Sequence, residues 1–150
     1  MRLALFEPDI PQNTGTLIRL GACLNVPLDI IEPCGFPWNE RKISTAALDY
    51  WDHVTLQRHE SWNVFRRQAT GRVILMTTKS TQAYTDFTFQ DGDTILMGRE
   101  SAGVPLDIHQ GTEAQLTIPM ATGPRSINVI NAAAMVTGEA LRQIQPTIKG

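Results

Sequence analysis

The 150-residue chain is poor in cysteine, in lysine and in long apolar runs, and each shortage removes a class of protein. Its two cysteines, Cys23 and Cys34, show no CxxC spacing, so neither a disulfide framework nor a structural zinc site can be built on them. Both are expected as reduced packing residues. The longest apolar run near the start, Leu3 to Phe6, is far shorter than a secretory core or a membrane span. A cytoplasmic location without a membrane partner is the expectation. The histidines His53, His59 and His109 fall in no HExxH or paired-ligand spacing, and Gly-x-Ser-x-Gly and GxGxxG are both missing. Metal catalysis, an α/β-hydrolase nucleophile and a dinucleotide fingerprint are therefore disfavoured, and no metal is expected.

No repeat, low-complexity tract or Pro/Gly/Ser linker divides the chain, and 42% of it is hydrophobic, so residues 1–150 are read as one domain with one core. The net charge of -2 hides a segregation. Residues 80–120 hold one base, Arg99, against Asp86, Asp91, Asp93, Glu100, Asp107 and Glu113, a local charge of −5 that leaves +3 elsewhere. Ten of the thirteen bases are arginine, the better bidentate partner for phosphate.

Short apolar runs next to Gly, Pro or Asp predict strands at Leu3–Phe6, Leu28–Ile31, Val73–Thr77, Thr94–Met97 and Gln115–Ile118. Helical spacing predicts Thr14–Leu24, with Asn13 as N-cap, Asn25 beyond its end and Leu17, Leu20 and Leu24 on one face. Further helices are expected at Ile43–Trp51, at Ser61–Ala69 from a Ser cap, and at Asn128–Gln143. The last has apolar and small residues on more than one stripe, as a helix with two buried faces would, one on the sheet and the other on a second subunit or within the chain. The alternation implies an α/β fold on a mostly parallel sheet flanked by helices, with ligands at the carboxyl ends of the strands.

Three strand-end segments have more Gly, Pro and small polar residues than a turn requires. Glu7 to Gly15 is followed by Arg19 one turn into a helix, beside an N-terminus favourable to anions. Gly98 to Pro105 has the glycine spacing of a phosphate-binding loop, but Val104 and Pro105 stand where Lys and Ser/Thr belong, which disfavours nucleoside triphosphates. Ile118 to Asn128 leads into the last helix, with Ser126 and Asn128 as capping types and Arg125 at its positive end, a place comfortable only beside an anion. Trp38, Trp51, Trp62 and Tyr50 fit base stacking or, equally, packing.

In this order the three segments resemble the motifs of the SPOUT superfamily of RNA methyltransferases, in its SpoU-type ribose 2'-O branch. Asn13, Gly15 and Arg19 match Asn-x-Gly-x-x-x-Arg, and Gly98, Glu100 and Gly103 match Gly-x-Glu-x-x-Gly. Ile118, Pro119, Met120, Ser126 and Asn128 match Ile-Pro-Met followed by Ser-x-Asn before a helix. Ile30–Phe36, Leu48-Asp49-Tyr50, Thr77-Thr78-Lys79 and Gln90–Asp93 are similar to the small branch that modifies the tRNA wobble nucleotide. Arg99 departs from that branch, which often has proline there.

The resemblance implies a trefoil knot in the C-terminal half, which topology rules alone would disfavour. It implies S-adenosyl-L-methionine as cofactor, a homodimer that itself holds the tRNA, and methylation of the wobble ribose 2'-hydroxyl, on cytidine or 5-carboxymethylaminomethyluridine, in tRNA(Leu) isoacceptors. By the same carry-over Met76, Thr77, Gly98, Glu100, Gly103, Ile118, Met120 and Ser126 would hold the cofactor. Arg19 would act at the reacting ribose, with Ser126 and Asn128 orienting the hydroxyl or the loop, and Arg19, Arg41, Lys42, Arg66, Arg67 and Arg125 would face RNA. The rival reading is a SPOUT-like module that binds RNA or a nucleotide without transferring methyl. A flavodoxin- or Rossmann-type small-molecule enzyme is a third, weakened by the missing glycine fingerprint.

Overall fold

The computed structural model describes residues 1–123 and 126–145. Strands β1 (Arg2–Phe6), β2 (Leu28–Ile31), β3 (Leu56–His59), β4 (Val73–Met76), β5 (Thr94–Met97) and β6 (Ala114–Leu116) form one sheet in the order β3-β2-β1-β5-β4-β6. Every pairing in it is parallel. Parallel neighbours cannot be joined by a tight hairpin, so helices cross both faces. They are α1 (Pro11–Leu24), α2 (Glu40–Ala47), α3 (Trp62–Gln68), α4 (Leu106–Gln110) and α5 (Val129–Ile144).

Successive strand side chains point to opposite faces, and the core divides accordingly. Leu3, Leu5, Ile74, Met76, Ile95 and Met97 pack against Leu17 and Ile18 of α1, Ile43 of α2 and Ala133, Val136 and Ala140 of α5. Ala4, Phe6, Val73, Leu75 and Leu96 face the other way, toward Phe65 of α3 and Ile108 of α4. β1 and β5 lie side by side, with Leu5 opposite Met97. The chain leaves β1 onto the α1 face and leaves β5 onto the α4 face, so the two loops diverge and open a crevice at the carboxyl edge.

Several expected boundaries shift. The first helix begins at Pro11 with Ile10 extended as its N-cap, so Asn13 lies inside the first turn and caps nothing. A proline at the first helical position loses no hydrogen bond and has its φ already set. Asn25 ends the helix in the left-handed conformation, as expected. Leu24 is exposed, since the buried positions of α1 are Thr14, Gly15, Leu17, Ile18 and Gly21. The second expected helix starts earlier, at Glu40, and gives way to a 3-10 stretch over Leu48–His53. β3 was not expected: it is an edge strand with Gln57 and Arg58 exposed, so no apolar run marks it. Nor was α4, which is only five residues long. Cys34 is half-buried and packs against the core, but Cys23 is exposed, contrary to the expectation for both thiols.

Two carboxylates are sunk into this frame. Asp93 is 1% exposed and takes both oxygens to Arg72, at 2.8 and 2.7 Å. Asp29, 2% exposed on the α3 face, accepts from Arg2 Nε and Nη2 at 2.7 and 3.0 Å and meets His59 Nε2 at 2.9 Å. Removing one partner of a buried pair leaves the others uncompensated. Asp29→Ala is expected to cost about 3–5 kcal/mol, read as a lowered denaturant midpoint.

Candidate active site

The crevice between β1 and β5 is built by loops that hold one another. Beyond β1, Glu7 takes a left-handed φ of 41° while its N–H donates to Ile31 O at 2.8 Å, which turns the chain out of the sheet toward α1. Asp9 N–H then donates to Glu100 Oε2 at 3.0 Å, and Asn13 Nδ2 reaches Glu100 Oε1 at 3.5 Å. The segment expected to lead into α1 is thus tied to the segment after β5.

That second segment is a closed turn. Arg99 N–H donates to Gly103 O at 3.1 Å and Gly103 N–H to Arg99 O at 2.9 Å. A Cβ on Gly98 would lie 2.7 Å from Gly103 Cα, and Gly103 itself has φ 68°. Space requires the first glycine and backbone conformation the second. Arg99, the departure from the family pattern, spans the crevice: its Nε donates to Glu7 O at 3.1 Å and lies 3.8 Å from Asp9 Oδ2.

The third segment closes the far side. Ile118 is buried beyond β6, and Asn128 Oδ1 accepts from Ile130 N–H at 2.7 Å, capping α5. Together the three enclose a cavity of about 510 Å³, within the usual range for small-molecule sites. Met76, Thr77, Gly98, Glu100, Gly103, Ile118, Met120 and Ser126 all line it, as does Asn128.

Arg19 does not line it. The residue is exposed on α1, roughly 9 Å along the helix from Asn13, and its guanidinium lies 4.9 Å from the centre of the Tyr50 ring. Arg41 and Lys42 are exposed on α2, which packs beside α1. Arg66 and Arg67 belong to α3 on the opposite sheet face, where Arg66 is paired with Glu113. The six basic positions therefore do not form one patch on the chain; Arg125 lies outside the described residues. Trp62 packs on Phe6 and Phe65, while Trp38 and Trp51 sit half-buried against the α1-face core.

Burial, together with a hydrogen bond to Asp9, pushes the Glu100 carboxyl above its ordinary value. The same bond, with a second from Ser101, holds Asp9 below its own. The two carboxyls are thus displaced in opposite directions, the neutral form being favoured at Glu100 and the anion at Asp9. Sequence reasoning passed over Asp9, whose place between two prolines reads only as turn chemistry. It also passed over Ile10, Lys79 and His109 as lining residues, and His109 Nε2 is buried without a partner among the described residues. Among the described residues no cluster of His, Cys, Asp and Glu is arranged to hold a metal, and no helix is long and apolar enough to cross a membrane.

The model of the SpoU rRNA Methylase family matches residues 1–138. The chain belongs to that family. A relative from Beijerinckia indica, named tRNA (cytidine(34)-2'-O)-methyltransferase, is 54% identical over 145 residues, covering 95% of this SpoU chain and 91% of its own. A protein of the same name from Escherichia coli K12 is 38% identical over 147 residues, with 96% and 94% covered. A solved structure concerned with 2-OH methylation of C/U34 on tRNA superposes with a TM-score of 0.91 at 35% identity, over 97% of both chains. The parallel sheet and the placement of the family motifs around one crevice agree with this membership.

The turn after β5 gives a direct test. Gly98→Ala drives a methyl into Gly103 and is expected to cost about 1–3 kcal/mol. Gly92→Ala, with nothing within 4 Å of the added carbon, is expected to stay within about 0.5 kcal/mol, both read by denaturant titration.

Proposed function

We propose that this chain is a tRNA 2'-O-methyltransferase acting on the wobble ribose, as its named relatives do, with the whole chain as one methyltransferase domain. The observation that carries the reading is the meeting of residues from all three SpoU motifs, Asn13 alone from the first, at a single cavity at the reversal of strand order, in a chain 54% identical to a relative of that name. The substrate nucleotide is cytidine or 5-carboxymethylaminomethyluridine in tRNA(Leu) isoacceptors, and the reaction belongs to the cytoplasm.

The cavity suits S-adenosylmethionine. Leu75, Met76, Met97, Ile118 and Ile127 give it an apolar floor for a flat base, and Gly98 exposes bare backbone where a side chain has no room. Met76, Thr77, Gly98 and Ile118 would hold the adenosine end, and Glu100, Gly103, Met120 and Ser126 would close around the rest. When bound, the cofactor supplies an activated methyl group on a sulfonium for in-line displacement by the ribose oxygen. The protein aligns that oxygen and stabilises it as its proton leaves.

Arg19 is the residue assigned to the ribose. A guanidinium stays protonated in proteins, so its work is electrostatic: it holds the substrate phosphate or stabilises the developing alkoxide. Ser126 and Asn128 flank the cavity at the start of α5, and with Asn128 Oδ1 engaged as the cap, its amide N–H groups are left to orient a ligand. Arg19, Arg41 and Lys42 supply a basic face on α1 and α2; Arg125, within the sequence of the third motif, lies outside the described residues. Arg66 and Arg67 join it only from a partner protomer.

A homodimer is supported by what a single chain leaves uncovered: Leu24 of α1 is 37% and Met135 of α5 is 43% exposed, on helices that pack together. The trefoil knot is supported by the return of the chain from β6, at the sheet edge, to α5 beside β5, where Gln143 grips Phe87 O and Phe89 N–H of the β4–β5 connection.

Incubation with methyl-labelled cofactor and total tRNA tests the reading: label in tRNA is expected at the wobble ribose, and cofactor binding without transfer would make the chain a binding module instead. Arg19→Ala is expected to abolish transfer while cofactor affinity, by calorimetry, stays within a few-fold; loss of cofactor binding as well would remove Arg19 from its assigned place. Affinity for tRNA is expected to fall steeply with salt, as phosphate contacts release counterions.

A further inference from the structure

We propose that Asp9 is a positioning residue of this site: one proton shared between its carboxylate and Glu100 locks the loops after β1, β2 and β5 together around the cavity. The proposal rests on the reading that the cavity takes S-adenosylmethionine, and it concerns a residue outside the three motifs.

Three loops meet at Asp9. From its own, the N–H donates to Glu100 Oε2 at 3.0 Å. From the β2 loop, Gly35 N–H donates to Pro8 O at 2.9 Å, and a Cβ on Gly35 would sit 2.6 Å from Asp9 Cβ and 3.3 Å from Arg99 Nη2. From the β5 loop, Ser101 Oγ donates to Asp9 Oδ2, with Arg99 Nε 3.8 Å from the same oxygen. Asp9 Oδ1 is buried and has no hydrogen-bond donor among the described residues. A proton on Glu100 supplies the missing donor. Without it two carboxylates face each other in a half-buried crevice, where like charges repel most.

Among the described residues the titratable groups facing the pair are Arg99 on the β5 loop and, from the β2 side, the Cys34 thiol, which burial pushes up to about 11 and which therefore stays neutral. Glu32 and Arg58 act on that thiol together with Glu100 and Arg99, and they are paired with each other. Arg99 is thus the charge nearest to favouring the Asp9 anion. The sign follows from the two directions. Glu100 lies above its ordinary 4.5, so the lock is intact below its folded-state pKa and fails as pH rises through it. Asp9 lies below its ordinary 3.8, so the anion that Ser101 and Arg99 hold is lost only as pH falls through that lower value.

The test measures S-adenosylhomocysteine affinity by calorimetry across pH, alongside the ¹³C titration of the Glu100 carboxyl. In the unmodified protein, affinity is expected to decline as Glu100 ionises. Asp9→Asn places an amide donor opposite an ionised Glu100 and is expected to remove that decline and return the Glu100 titration to the ordinary range. Asp9→Ala removes the side chain that Glu100 and Ser101 close on and leaves Glu100 only the backbone N–H and Asn13 Nδ2; kcat for methyl transfer is expected to fall by up to about a hundredfold, as misplacement of a reacting centre does. An alkaline decline that survives Asp9→Asn, or an Asp9→Ala protein matching the parent in affinity and kcat, overturns the proposal. Absence of any S-adenosylhomocysteine binding would count against the cofactor reading alone. The carboxyl titration then decides the proton lock by itself: a Glu100 value unmoved by Asp9→Asn overturns it, and a return to the ordinary range supports it.

Discussion

The reversal of strand order between β1 and β5 is the constraint on which the rest depends. In a parallel sheet each strand must be followed by a crossover, and where successive crossovers take opposite faces the carboxyl ends of neighbouring strands are left uncovered. Here α1 and α4 depart to opposite faces, and the gap between them receives Ile10 and Asn13 from one side and Gly98 to Val104 from the other. Ile118 and Met120 beyond β6, and Ser126 to Val129 at the start of α5, then close it. A site placed this way needs loops of fixed shape, which explains the left-handed Glu7 and Gly103 at the ends of its two central strands.

Charge follows the same logic. The six acids between residues 80 and 120 do not make an acidic surface, because three of them are engaged inward or across the chain and exposed Asp91 meets the N-terminal ammonium at 3.4 Å. Asp93 is buried on Arg72, Glu113 holds Arg66 and the Val73 N–H, and Glu100 bridges to Asp9 and Asn13. Asp86, Asp91 and Asp107 remain outside. Arginine is spent in the same way: Arg2, Arg58, Arg66, Arg72 and Arg99 each close a contact within the chain. Fewer bases are therefore left for RNA than the count of ten suggests, and Arg19, stacked on Tyr50 and paired with no carboxylate among the described residues, stands out among them.

The strands buried on both faces were legible because burial on both sides demands unbroken apolar runs: Leu28–Ile31 and Thr94–Met97 coincide with β2 and β5 to the residue. The edge strand β3 was not, because an edge tolerates Gln57 and Arg58 in the open. Ser61 and Asn128 proved to be true caps, each accepting from a backbone N–H of its helix. Asn13 had the same residue chemistry and no such role, because Pro11 had already started the helix. Residue type alone does not separate a cap from a side chain that answers to another loop.

By itself the sequence determined the fold class, five of the strand positions, the last helix with its cap, and the three segments whose residues gather at the site, since each of these is written in local spacing and residue type. Only the tertiary structure decided that those segments share one cavity, that Glu100 meets Asp9 ninety-one positions away in the chain, and that Arg66 belongs to the face opposite Arg19. Such relations depend on which strands become neighbours, and strand order is set by the packing of the whole sheet rather than by any one stretch of it.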